Sequence, residues 1–308
     1  MRILLTGATG YIGSRVAQAL AARESWRVTA LARPDSKTTL LGPVLGQISL
    51  ERCDGTFQQL SEIFRRVKPD IIVHTAASNA SLRNPERAGD IIAANVTFGA
   101  ALLEAMVENG TTRFVNTGTF WEEMDGDGKF RPIDLYAASK RAFQNIMRFY
   151  EDAHGLHAVT LKLFGVYGPG DPRPKVFSLF KKSSSAKEPV AMSPGLQKMD
   201  LIYVDDVAEA YVKAVEYVEC KKGSASETFD IGTGVATPLK EIARIYEACS
   251  GERLNILWGG IPYRAREAVD ARADIAPAKE KLKWKPTHQL KSGISRLLNE
   301  EKVRAGAH

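Results

Sequence analysis

Tyr136-Ala-Ala-Ser-Lys140 sets a phenol and a primary amine four positions apart, a spacing that brings both side chains to one face of a helix. An isolated tyrosine ionises near about pH 10 and is a poor acid or base at neutrality. An ammonium beside it favours the phenolate, so Lys140 is expected to bring Tyr136 down toward the working range. Upstream, Asn116-Thr117-Gly118-Thr119 supplies hydroxyls. Thr117 is the candidate to bond a substrate carbonyl and to steady the alkoxide developing there. Thr117, Tyr136 and Lys140 together form a device for moving a proton at an oxygen while a nicotinamide moves a hydride. Tyr-x-x-x-Lys alone also describes an ordinary surface helix pair, so its meaning depends on what precedes it.

What precedes it is a glycine loop. Gly7-Ala-Thr9-Gly10-Tyr11-Ile12-Gly13 follows an apolar run and opens an amphipathic pattern. Gly7, Gly10 and Gly13 permit a tight turn and a close approach of pyrophosphate to backbone N–H groups. Thr9, Tyr11 and Ile12 fall in the loop and first helical turn, where the positive end of the helix dipole adds to the attraction. At the end of the second strand, where an acid would hold the ribose 2′-hydroxyl of NAD, the chain reads Ala32-Arg33-Pro34-Asp35-Ser36-Lys37. Arg33 and Lys37 suit a 2′-phosphate, which favours NADP (NADPH). In the alternative, Asp35 serves the ribose and the cofactor is NAD. Asp54 either accepts from the adenine amino group or caps the following helix. His74-Thr75-Ala76-Ala77 ends the fourth strand in small residues over which a cofactor can lie; His74 reads as a packed strand-end residue.

These residues need elements to position them. Strands are expected over Arg2–Thr6, Arg27–Ala32, Gln47–Glu51, Asp70–His74, Thr112–Thr117 and Ala158–Phe164. Helices are expected over Tyr11–Ala22, Thr56–Val67, Ala88–Asn109 and Tyr136–Ala153. Such alternation implies right-handed crossovers and a doubly wound parallel sheet of Rossmann type. After Phe164 the texture changes at a Pro/Gly-rich stretch, Gly165–Pro174. The expected division is therefore a dinucleotide-binding domain over 1–165 and a smaller α/β substrate domain over 166–308, with elements partly interleaved. In the second part a helix follows Asp205–Asp206, one of which is expected to be its N-cap. A strand covers Thr228–Ile231, a helix opens at Thr237–Pro238, a strand covers Leu254–Trp258, and Lys181–Glu188 is expected to be a surface loop.

The chain has 308 residues, 44% hydrophobic and 25% charged, which excludes disorder and low-complexity classes. The longest apolar runs are short and interrupted, so no membrane span is expected. Cys53, Cys220 and Cys249 are too few and too widely spaced for a disulfide framework or a zinc site, so no metal is expected and the cytoplasm is the default. The net charge is +6. Its cations are scattered among acids, densest over Lys279–Lys285, with no nucleic-acid-binding motif, so a pocket for phosphate-bearing ligands explains it better than nucleic acid.

The chain resembles the extended short-chain dehydrogenase/reductase family, in its nucleotide-sugar epimerase/dehydratase/reductase branch, almost end to end. The resemblance rests on Gly7–Gly13, His74–Ala77, Ala93–Gly99, Thr117, Tyr136–Lys140, Phe164–Asp171, Tyr203–Ala210, Phe229–Gly234, Tyr263-Arg264 and Lys281–Pro286. In the last of these Lys283 stands where the family usually has glycine. The resemblance implies a homodimer joined through the helix carrying Tyr136 and the helix before it. It implies that Ala76, Asn95, Phe164 and Val166 frame the cofactor. It implies that Ser78, Thr117 and Tyr136, together with Thr119 or in its place the Glu122–Glu123 pair, meet the sugar of an NDP-sugar substrate, and that Arg264 with Arg173 and Lys175 neutralises its diphosphate. Phe120 and Trp121 either floor the sugar pocket or belong to the core. Dehydratases of the branch carry Thr-Asp-Glu on the fifth strand, whereas this chain has Thr117-Gly118-Thr119. No cysteine faces the Tyr, as a C3/C5-epimerase would require, and Gly165 replaces the Asn of many 4-epimerases. Asn116–Trp121, Lys162–Gly165 and Asp171–Lys175 look most like the CDP-abequose and CDP-paratose synthase group, which reduces a 4-keto deoxysugar nucleotide with NADPH. The implied function is that of a 4-ketoreductase; the alternative is an NDP-sugar 4-epimerase with tightly held NAD.

Overall fold

The computed structural model describes residues 1–78, 87–123, 129–220, 226–264, 266, 268 and 270–306. Seven parallel strands form the main sheet in the order β10-β6-β5-β4-β1-β2-β3. These are β1 (Arg2–Thr6), β2 (Arg27–Ala32), β3 (Ser49–Arg52), β4 (Ile71–His74), β5 (Arg113–Thr119), β6 (His157–Leu163) and β10 (Glu227–Ile231). β4 is buried along its length and β1 everywhere after Arg2. That is why they read as near-continuous apolar runs and not as alternating ones.

One face is covered by α1 (Tyr11–Ala21) and α7 (Val204–Cys220), whose Val16, Leu20, Val207, Tyr211 and Val215 pack with Ile3, Val73 and Val159. The other is covered by α2 (Phe57–Val67), α4 (Phe98–Glu108) and α5 (Leu135–His154), through Leu60, Phe64, Leu102, Phe143 and Met147. Asp134 caps α5 by accepting from Ala137 N–H at 2.8 Å, and Gly155 ends it at a left-handed φ of 64°. A cap three residues ahead of Ala137 and a glycine past the last turn are ordinary helix punctuation. These stops hold Tyr136 in the first turn of α5, at the carboxyl edge of the sheet.

The long helix expected over Ala88–Asn109 is interrupted. α3 (Ala88–Ile92) passes through one π turn, Ala93–Thr97, before α4. Such widenings often accompany functional positions, and this one buries Asn95. Ala88–Glu108 has the length and composition of a membrane span, but its Leu102, Leu103, Ala105 and Met106 are buried in the core beneath the sheet.

Beyond β6, β7 (Gly165–Tyr167) and β9 (Lys198–Tyr203) join β11 (Ala236–Pro238) in a three-stranded sheet, and β8 (Val190–Met192) pairs with β12 (Ile256–Trp258). With α6 (Val176–Ser184), α8 (Leu239–Ser250) and α10 (Leu290–Gly306) they enclose a second core containing Tyr167, Phe180, Tyr203, Tyr246 and Ile294. α9 (Ala276–Lys281) lies beside β10. β10 lies in the main sheet against β6, an element of the second part interleaved with the first, because its Phe229 and Ile231 complete that core. Two expectations are corrected here. α7 begins at Val204, so Asp205 and Asp206 stand in its first turn and neither is the N-cap. Buried Asp206 instead accepts from Thr287 and His288. Half of the expected loop over Lys181–Glu188 is helix, since Ser183 turns inward at the end of α6.

Candidate active site

The glycine loop joins β1 to α1 at the point where strand order reverses between β1 and β4, the crevice in which open α/β sheets hold ligands. Gly7 takes a φ of +72°, and a Cβ there would lie 2.4 Å from Ala76 N. A Cβ at Gly13 would stand 2.1 Å from Gly7 O. Both glycines are therefore required by the fold itself. Gly10 differs: its φ is −81°, and a Cβ would meet only Gly7 O at 3.3 Å. As the N-cap of α1 it has no side chain to bond the helix, and no acid stands in the first turn. The end of α1 thus presents N–H groups and a positive dipole, flanked by half-buried Thr9 and Ile12 and by the buried ring of Tyr11.

α5 delivers Tyr136 and Lys140 as expected, on one stripe with Gln144. Lys140 is fully buried, and its Nζ has no hydrogen-bond partner among the described residues. Burial lowers its ammonium to about 8, against the upward pull of Glu122. Tyr136 is edge-on to Trp121, with ring centroids 6.4 Å apart. The expectation that Lys140 lowers Tyr136 is not met. Burial pushes the phenol up to about 12, the Glu122 carboxylate adds to the rise, and Arg173 opposes it. Desolvation of the phenolate outweighs any attraction when the ammonium is itself weakened by burial.

Glu122 is the functional neighbour that sequence reasoning placed wrongly. With Glu123 it is the alternative to Thr119 for meeting the sugar hydroxyls. Instead it is 3% exposed, accepting from Thr119 N–H at 3.0 Å and from Gln144 Nε2 at 3.1 and 3.0 Å. Thr119 and Glu122 form a capping box around the short turn Phe120–Glu122, so Thr119 accepts from Trp121 N–H and its carboxylate partner folds inward. The T-x-x-E spacing was the available signal. Glu123 pairs with Lys162, which also holds Asp230 at 3.0 Å.

Thr117 reaches the carboxyl edge of β5, but its hydroxyl donates to His74 O at 2.7 Å and lies 2.5 Å from the Tyr211 hydroxyl. With its proton on that carbonyl, Thr117 accepts from Tyr211 and does not donate to a substrate oxygen without leaving His74. Tyr211, fully buried on α7, had no signal beyond helical periodicity. His74 is packed as expected, among Phe98, Phe114 and Phe143, with Nδ1 2.8 Å from Thr6 Oγ1. Desolvation lowers its pKa to about 3.

Asn95 holds the approach to the site from behind. It accepts from Ser78 N–H at 2.7 Å and donates to Ser78 O and to Ser139 Oγ at 3.0 and 2.9 Å. The β4 exit and α5 are thereby tied together. Phe164 is stacked on Phe120 with centroids 5.0 Å apart, and Val166 is in the core. Lys175 donates to Val166 O and burial lowers its ammonium to about 8. Arg173 forms a two-pronged pair with Asp171, both bonds 2.7 Å, and lies over the Tyr11 ring. Asp171, absent from the expected site, thus holds Arg173 and also pairs with Lys175 at 3.4 Å. Arg264 lies near Asp134, whose carboxyl it draws down against the larger upward push of burial; it stands at the start of α5. Asp54 accepts from Thr56 N–H and from Gln59 Nε2, but the N-cap of α2 is Thr56, whose hydroxyl accepts from Gln59 N–H, so Asp54 does not cap that helix. Arg33 is 79% exposed beside Asp35 at 3.8 Å, and exposed Lys37 follows in the same segment.

The sheet order, the glycine loop at the switch point, the uncapped helix end and the orphaned Lys140 ammonium fit a dinucleotide and define a dinucleotide-dependent enzyme of Rossmann type. The sequence profile of the NAD dependent epimerase/dehydratase family matches residues 3–232, and the chain belongs to that family. Similar relatives are the CDP-abequose synthases of Salmonella muenchen, 27% identical with 97% of each chain covered, and of Yersinia pseudotuberculosis, 29% identical over 94% of this chain and all of the other. A crystal structure of UDP-glucuronic acid 4-epimerase from Bacillus cereus, in complex with UDP-glucuronic acid and NAD, superposes with a TM-score of 0.86 at 24% identity, covering 99% of this chain and 100% of the other. That likeness establishes the shared fold.

Proposed function

We propose that the chain is a cytoplasmic, NADPH-dependent reductase of the C4 keto group of a nucleotide-linked deoxysugar, of the 4-keto-6-deoxy or 4-keto-3,6-dideoxy class, serving surface-polysaccharide or other deoxysugar synthesis. The observation that carries this reading is the placement of Tyr136 in the first turn of α5 at the sheet edge, one turn from the buried Lys140, where burial raises the phenol further above neutrality. A protonated phenol is the form needed to give a proton to an oxygen. Gly118-Thr119 stands where a dehydratase would need two acids, and the CDP-abequose synthase relatives support a deoxysugar pathway.

When bound, the nicotinamide supplies hydride to the carbonyl carbon. Tyr136 delivers the proton to the carbonyl oxygen. Lys140 holds the nicotinamide ribose through its unpartnered ammonium. Gly7, Thr9, Gly10, Tyr11, Ile12 and Gly13 take the pyrophosphate, Arg33 and Lys37 the 2′-phosphate, and Ala76, Phe164 and Val166 the flanks of the cofactor. Asn95 sets the Ser78 segment. Ser78, Thr119 and Phe120 border the sugar, Thr117 positions Tyr211 against the site, and Arg173, Lys175 and Arg264 face the diphosphate. In this reading residues 1–165 carry the cofactor and 166–308 the nucleotide sugar. A homodimer forms through α5, whose Phe149 is 58% exposed.

The test is consumption of NADPH or NADH with enzymatically generated 4-keto sugar nucleotides, followed at the nicotinamide absorbance band. Oxidation of NADPH in proportion to keto sugar supports the reductase. A second reading, a 4-epimerase with tightly bound NAD, is favoured by Asp35, which stands at the β2 exit where a ribose hydroxyl would need an acceptor. No oxidation, with NAD already bound and C4 interconversion of an ordinary NDP-hexose, would establish it instead.

A further inference from the structure

β2 and β3 end side by side, and their register sets Ala32 directly against Arg52. The chain leaves β2 through a turn closed by Ser36 N–H donating to Arg33 O at 3.1 Å. Arg52 Nη1 donates into this turn from outside, to Arg33 O at 2.8 Å, Pro34 O at 3.2 Å and Ser36 O at 2.8 Å. Arg52 forms no ion pair with a described residue, whereas its neighbour Glu51 is held by Arg66 at 2.7 Å. Three converging carbonyl dipoles fix the guanidinium without neutralising it. Its Nε and Nη2 have no partner among the described residues. A planar guanidinium can clamp a turn with one nitrogen and offer the rest of its fork to an oxyanion, which a lysine ammonium cannot do in the same geometry.

We infer that Arg52 is a specificity-determining residue for the cofactor. It builds the subsite for the phosphate on the adenosine ribose of NADP(H), clamping the turn that carries Arg33 and adding its own charge beside the methyl of Ala32. This rests on the NADPH reading above. The ligand chemistry is a phosphomonoester dianion beside a ribose. The structure supplies for it a fixed cation and an exposed second cation at Arg33, with no carboxylate at Ala32; the one acid in the turn, Asp35, lies 3.8 Å from Arg33 and is as exposed as its partner.

The test is equilibrium titration of the full chain and of Arg52→Gln, Arg52→Lys and Arg33→Ala with NADPH, NADH, 2′-AMP and 5′-AMP, with thermal melting to verify folding. Arg52→Gln should weaken NADPH and 2′-AMP by about ten- to a hundredfold, the range for losing a charge-assisted contact, while NADH and 5′-AMP change by less than about twofold. Arg52→Lys, which keeps charge but loses the clamp, should fall between. Equal weakening of NADPH and NADH would mean that Arg52 only supports the fold, and no change in either would remove it from the site. If Arg33→Ala abolishes the preference and Arg52→Gln keeps it, the NADPH reading stands and the assignment of Arg52 falls. If the unaltered protein binds NADH as tightly as NADPH, both fall.

Discussion

Replacing Lys140 by methionine should stabilise the nucleotide-free protein while abolishing turnover. The Nζ is fully buried and unpartnered among the described residues, and its ammonium is lowered from 10.5 to about 8. At about 1.4 kcal/mol per tenfold change in ionisation, that burial costs about 3 kcal/mol at neutral pH. Methionine fills similar volume without a charge. Glu122 loses an attracting neighbour in the exchange, so the net gain is about 1–3 kcal/mol. At about 2.1 cal/mol/K per residue near 60 °C, a 308-residue chain gains about 2–5 °C in Tm. The pH dependence gives the sharper test. With the folded value depressed, the unfolded chain binds the extra proton between pH 8 and 10.5, so the penalty is full below about 8 and fades toward 10.5. Calorimetry of both proteins at pH 7 and 10 should therefore show a stability difference that shrinks as pH rises. A variant no more stable than its parent at pH 7, or a gain that is constant with pH, would refute the placement of a strained, charged Lys140 in the site.

Tyr136→Phe should lower turnover by about 10²–10⁴-fold and leave NADPH affinity nearly intact; steady-state rates alongside titration decide it, and a largely active variant would remove Tyr136 as proton donor. Glu122→Gln deletes a charge that raises both Tyr136 and Lys140, so the alkaline limb of the reductive kcat/KM profile should move to lower pH; an upward move would contradict the assignment. Gly10→Ala should fold normally and lose nucleotide affinity, because its Cβ would crowd only Gly7 O at 3.3 Å. Gly13→Ala should unfold the loop at a cost of about 2 kcal/mol or more, since its Cβ would stand 2.1 Å from the same oxygen; chemical denaturation of the two variants should separate them.

The features readable along the chain are those whose partners are near in sequence. Gly7 to Gly13, the Tyr136–Lys140 stripe and the apolar strands β1, β2 and β4 are short-range patterns with known backbone consequences, and the structure places them as expected. His74 was readable as packed because it ends a continuous apolar run. The features that escaped depend on register and burial between distant segments. Arg52 meets the Arg33–Ser36 turn because β2 and β3 pair where they do, Tyr211 meets Thr117 across 94 positions, and β10 leaves the second half of the chain to complete the first sheet. Glu122 reads from sequence as a candidate for the sugar hydroxyls, and only the fold of its turn against α5 buries it. The ionisation of Tyr136 follows the same logic. Spacing on a helix predicts a neighbour that lowers a phenol, but desolvation depends on everything packed around it, and at this site desolvation is the larger force.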